Sequence, residues 1–205
     1  MSKSTKPYPR KSRAKKARYG GGFIIYIALG VIAVVVIAIA IMAAQNANSA
    51  GAVSSTGVMG TPIAIDSRQH ISTDQVPGPY TNPPSGGAHY PVTLPAKFYQ
   101  EADLSGLPAH PEGYLVHNLE HGYVIFWYNC NVNPAINCTD LKKAILNVMD
   151  TYGGIKLIAF PWPSLTVPIA MSTWGQIYYL NTPDEKIMRQ FVISNRFQAP
   201  EPNGM

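Results

Sequence analysis

The most continuous apolar pattern in the chain comes early. From Phe23 to Ala44 (FIIYIALGVIAVVVIAIAIMAA) 22 residues pass without a charge. A helix of that length reaches about 33 Å at about 1.5 Å per residue, enough to cross a hydrocarbon core of about 30 Å. The run predicts one transmembrane helix over 23–44. Val and Ile fill it, and lipid tolerates them because a helix satisfies its own backbone there. A buried core helix is the alternative, but such helices are usually shorter and carry polar interruptions.

The pattern then changes three times. Residues 45–64 are small and polar and predict a flexible spacer. Residues 65–113 are rich in Pro and Gly yet carry Tyr80, Tyr90, Phe98 and Tyr99, which predicts an irregular but ordered arm wrapped on a core. Regular elements follow. Tyr123 to Tyr128 (YVIFWY) has the length and the β-branched and aromatic content of a buried strand. Thr139 or Asp140 can cap a helix running to about Tyr152, with Leu141, Ala144, Ile145 and Val148 on one face and Gly153-Gly154 as its stop.

Lys156 to Phe160 is a second strand, and a helix between two strands suggests a parallel pair. Val167 to Trp174 and Gln176 to Leu180 read as two more strands, with Gly175 at a break or bulge. Thr182 can cap a last helix, with Pro183 at its first position, Asp184 and Glu185 in its first turn, and Ile187, Met188, Phe191 and Val192 on the buried side. The expected class is α+β: a small mixed β-sheet with two helices, a long irregular Pro/Gly-rich arm and one N-terminal transmembrane helix. The expected division is a basic tail (1–22), the helix (23–44), the spacer (45–64), a folded domain (65–199) and a short tail (200–205).

Charge orients this plan. Eight of the 16 Lys and Arg lie before residue 19, and no Asp or Glu precedes Asp66. Positive charge stays on the cytoplasmic side, so the C-terminal domain is expected outside the cytoplasm, anchored in the cell membrane by a single pass. A cleaved signal peptide is the competing reading; its apolar stretch would be about 7–15 residues, shorter than this one. Either way the domain is exported. The tail needs only the anionic headgroups of the bilayer as its partner. From Phe23 onward acidic residues outnumber basic ones, 11 to 8, so no nucleic-acid partner is expected.

Cys130 and Cys138 both fall in the exported part, where such a pair favours a disulfide closing the polar loop Asn131 to Asn137. Two free buried thiols are the alternative.

All five histidines lie between His70 and His121. Three belong to two motifs, Asn82-Pro83-Pro84-Ser85-Gly86-Gly87-Ala88-His89-Tyr90 and His117-Asn118-Leu119-Glu120-His121-Gly122. On one helical turn His117 and His121 would share a face, with Glu120 beside them. Formally the second string matches the inverted zinc-protease pattern, but that pattern needs a long helix and a downstream ligand, and here a strand-like run follows at once. A more modest reading gives His89, His117 and His121 to one metal ion, zinc or copper, with Glu120 orienting a ligand or taking a proton from bound water. The alternative is a set of histidines that hydrogen-bond backbone carbonyls and lock a loop. His110 and His70 read as surface residues. Ser85 has no visible base, and Cys130 and Cys138 do not make a C-x-x-C redox pair.

These motifs carry a resemblance. Asn82-Pro83-Pro84-Ser85-Gly86 followed by His89-Tyr90-Pro91, then His117 to Gly122, then Phe160-Pro161, then Thr173-Trp174-Gly175, together resemble domain-of-unknown-function family 3105 over about residues 66–197. The loop before His89 has the family's length and departs from its usual residues at three positions. The resemblance implies an N-terminal membrane segment in many members. It also implies that the His89 and His117–His121 blocks share one site, and it brings no established activity. The expectation is a membrane-tethered, extracytoplasmic metal-binding or accessory domain. The rivals are a metal-dependent hydrolase with Glu120 as its catalytic base and a structural subunit of a larger membrane protein complex.

Overall fold

A computed structural model of the chain describes residues 57–204. The expected basic tail, transmembrane helix and most of the spacer lie outside the described residues. Among the described residues no helix is long and apolar enough to cross a membrane.

The core is a five-stranded mixed sheet in the order β1-β5-β4-β2-β3, with β1 Thr61–Pro62, β2 Val124–Tyr128, β3 Leu157–Pro161, β4 Ile169–Thr173 and β5 Gln176–Leu180. β2 and β3 are parallel, and the other neighbours are antiparallel. The parallel pair follows from what joins it: β2 leads through the helix α2 (Cys138–Thr151) to β3. β4 and β5 form a hairpin at Gly175, whose φ of 71° is the left-handed geometry such a turn needs.

Both faces of the sheet are covered, which is why β2 reads as an unbroken apolar run. Val124, Phe126 and Tyr128 point to one side, with Leu141, Ile145 and Val148 of α2 and with Met188, Phe191 and Val192 of the last helix. Ile125 and Trp127 point to the other, with Leu115 and Leu119 of a helix that the sequence pattern did not predict. This helix, α1, runs Pro111–Glu120 and brings the count to three α-helices among the described residues, not the two expected; the last is α3, Glu185–Asn195. His110, at φ 54°, turns the chain into α1, and Pro111 takes the first position, where its missing N–H costs nothing.

Two caps differ from expectation. Asn137, rather than Thr139 or Asp140, caps α2 by accepting from Thr139 N and Asp140 N. Asp184, rather than Thr182, caps α3 by accepting from Ile187 N. Cys130 and Cys138 are bonded, tying the end of β2 to the start of α2. The Pro/Gly-rich arm is irregular except for a 3-10 turn, Glu101–Gly106. Its Lys97–Tyr99 stretch lies on the open side of β3, where Tyr99 N donates to Ala159 O (2.9 Å) and Ala159 N to Lys97 O (3.2 Å).

The first described residues are clamped to α3. Asn195, fully buried, accepts from Met59 N (3.0 Å) and donates to Met59 O (2.7 Å). Asn195→Ala leaves the Met59 N–H and C=O without their partner, and is expected to cost about 2–4 kcal/mol. Chemical denaturation followed by tryptophan fluorescence reads that loss directly.

Candidate metal centre

The second histidine motif forms the last turn of α1 and the turn after it, and each residue has its own task. Asn118 staples the arm: its Oδ1 accepts from Leu94 N and its Nδ2 donates to Leu94 O, both at 2.9 Å. Leu119 enters the core. Gly122, at φ 82°, lets the backbone of Phe197 approach to 2.8 Å from where a Cβ would stand. That leaves His117, Glu120 and His121 for chemistry.

The first motif builds a rigid loop. Asn82 Oδ1 accepts from Trp162 Nε1 (2.7 Å) and Ser164 Oγ (3.2 Å), and Ser85 O accepts from Gly175 N (2.8 Å). Gly86 adopts φ 150°, a backbone geometry that favours glycine, and a Cβ there would also press on the Ile65 side chain at 2.6 Å. An open groove of about 390 Å³ runs between this loop, the segment Ile63–Ser67 and Tyr80. On the other side of the loop, Gly87 O receives the Nδ1–H of His89 at 2.7 Å.

His89 is fully buried, and its second nitrogen decides the character of the site. Nε2 lies 2.9 Å from Glu120 Oε2. A carbonyl can only accept, so the bond to Gly87 fixes the ring hydrogen on Nδ1. In the neutral ring Nε2 then offers a lone pair to a carboxylate that also offers one. Two arrangements resolve the clash: a second proton on Nε2, or a cation that both atoms bind.

The same carboxylate gathers the rest of the site. His70 Nε2 lies 3.4 Å from Glu120 Oε2, and Arg68 Nε donates to Oε1 at 3.3 Å. His70 reaches this place because the arm pairs with the loop, Ile71 N donating to His89 O (2.8 Å) and His89 N to Gln69 O (3.0 Å). The His117 ring lies 4.9 Å from that of His70 and 5.1 Å from that of His89. One donor atom from each of His70, His89, His117 and Glu120 falls within 4.8 Å of the others.

This set of four differs from the expected trio: it lacks His121 and adds His70 and Glu120. His89 and His117 are together, but His121 is not among the four; His70 is, and it is half-exposed, as its reading as a surface residue expected. His121 sits at the helix end with its ring 4.3 Å from that of His117 and its Nε2 3.6 Å from Glu201 Oε2. The helical neighbour of His117 that joins the group is Glu120, three residues on, in place of the histidine four residues on. His110 pairs with Glu112 instead. Trp174 stands edge-on to His89, 5.8 Å away.

A family model described as "Protein of unknown function (DUF3105)" matches residues 70–205. The chain belongs to the DUF3105 family. No curated protein and no solved structure matches it. The match to DUF3105 begins at His70 and so takes in all four members of the cluster.

The electrostatics of the DUF3105 site favour lone pairs over protons at His117. Burial, aided by His121, His89 and His70, pushes its pKa from 6.5 down to about 4. Its Nδ1 is buried and has no hydrogen-bond partner. For Glu120, burial works against the charged form, but His89, Arg68 and His70 more than offset it and hold the carboxyl below its ordinary value. Three imidazoles and an ionised carboxylate, with one buried nitrogen unsatisfied, make a group that could hold a metal ion.

Both shifts set the acid behaviour of the chain. Between pH 6.5 and about 4 the unfolded His117 binds a proton that the folded one refuses, so stability falls as pH drops through that window. Glu120 adds a loss below its unfolded value of about 4.3, where the unfolded carboxyl protonates first. Denaturation at pH 7 and pH 4.5 is expected to differ by roughly 2–3 kcal/mol from His117, and His117→Asn is expected to remove most of that difference.

Proposed function

We propose that this DUF3105 domain binds one divalent transition-metal ion, zinc or copper, at His70, His89, His117 and Glu120, and serves as a binding or accessory domain. One observation carries the reading: the buried contact between His89 Nε2 and Glu120 Oε2, at 2.9 Å, with the other His89 nitrogen already committed as a donor. A cation turns that opposition of lone pairs into a shared bond. Gly87 O is then the outer partner that fixes the His89 tautomer, while Arg68 takes the other oxygen of the Glu120 carboxylate. A bound zinc would act as a Lewis acid, and a bound copper would add one-electron chemistry.

The hydrolase reading, with Glu120 as a base, is less favoured. Arg68 already occupies one Glu120 oxygen, and His70 and His89 face the other, so the carboxylate is placed to hold an ion rather than to collect a proton.

The same proposal places the domain outside the cytoplasm on a single membrane anchor. The apolar run over 23–44 and the basic residues before it support this, as does the Cys130–Cys138 bond, which suits an oxidising compartment.

Elemental analysis of the full chain, purified in mild detergent, tests the metal. About one zinc or copper per chain is expected, lost in His89→Ala and in His117→Ala and retained in His121→Ala. No zinc or copper above background after growth in supplemented medium would remove the proposal. For the anchor, protease added to intact cells is expected to cut the domain, while the chain stays in the membrane fraction under alkaline carbonate; a protected domain would reverse the orientation.

A further inference from the structure

The final described residues form an outer wall of the histidine cluster. Lys156 Nζ donates to three carbonyls, those of His121 (2.6 Å), Pro202 (2.8 Å) and Gly204 (2.8 Å). Glu201 N donates to Glu120 O at 3.0 Å. A Cβ on Gly204 would meet the His121 ring at 2.6 Å, so glycine is what lets the segment lie against the imidazole. This strapping brings the Glu201 carboxylate to Arg68, with Oε1 3.9 Å from Nη2. Arg68 therefore stands between two carboxylates, one buried and one half-exposed, and is itself half-exposed.

A divalent ion at the four-residue site meets Arg68 as an adversary. Both cations claim the Glu120 carboxylate, the ion at Oε2 and the guanidinium at Oε1. Glu201 offers Arg68 a second anion and so lessens its claim on Glu120.

We propose that Glu201 is a positioning residue of the metal site: it draws Arg68 away from the ion and so sets how tightly the site holds a divalent cation. This inference rests on the metal-site reading above. Glu201 touches none of the four proposed ligands with its side chain and acts through Arg68. The strap itself does not depend on the carboxylate, because the bond to Glu120 O is made by the Glu201 main chain and the grip of Lys156 falls on residues 202 and 204.

The test uses the full chain in detergent, with zinc affinity measured by competition against a chromophoric chelator at low ionic strength. Wild type, Glu201→Gln, Arg68→Gln and the double variant close a cycle. Glu201→Gln is expected to weaken zinc binding about three- to tenfold, an effect that shrinks when the ionic strength is raised to about 1 M. In the Arg68→Gln background the same change is expected to do little. An unchanged affinity in Glu201→Gln overturns the inference. So does an equal loss in the Arg68→Gln background, or a loss indifferent to salt, since each would mean that residue 201 only shapes the strap. Failure of the wild type to bind zinc or copper would be a different result: it removes the metal reading itself, and this inference with it.

Discussion

A carboxylate taken out of water must be matched, and Glu120 is the group around which this domain is arranged. At 2% exposure its side chain has lost nearly all solvent, and the penalty for an unmatched buried charge is several kcal/mol. The matching groups come from two separated stretches of chain, Arg68 and His70 from the arm and His89 from the glycine loop, while the tail meets the same residue at its main-chain carbonyl through the Glu201 amide. None of these segments has regular structure of its own. They hold their places because the helix that carries Glu120 is fixed on the sheet by Leu115 and Leu119, and because Asn118 next to it staples the arm at Leu94. The polar centre and the irregular periphery therefore depend on each other.

β2 to β5 were legible because burial on both faces leaves continuous apolar runs; β1 was not, because Thr61–Pro62 is exposed and lies in a small, polar stretch that reads as spacer. α2 and α3 were legible from their amphipathic spacing. α1 was not, for a physical reason. Its buried face includes His117, Asn118 and Glu120, which read as polar, and Gly113 sits in its interior because Tyr90 fills the space a side chain would need. A helix that buries its polar residues shows no clean stripe. The caps of α2 and α3 were misplaced by two or three residues because several residues able to cap stand side by side.

The site was legible where motif spacing carried it and obscure where a distant pairing did. Two histidines four apart do bring their rings together, 4.3 Å between centroids, but the His121 ring lies at the helix end with Glu201 nearby, and the group with donor atoms within 4.8 Å is completed by Glu120 and His70. His70 gave no local sign, since it owes its position to main-chain bonds with the loop at His89, 19 residues on. Glu201 was hidden in the same way, in a stretch that reads as a plain tail until Lys156 is seen to grip it.

The arm along β3 has a consequence of another kind. Sheets with bare borders recruit further strands from other molecules, and that is a common route to aggregation. One border of this sheet is occupied by Lys97–Tyr99, and the other is a two-residue strand containing Pro62, which has no amide hydrogen to give. Copies of the domain pressed together at high concentration would thus meet through side chains, with little exposed main chain to zip into a shared sheet.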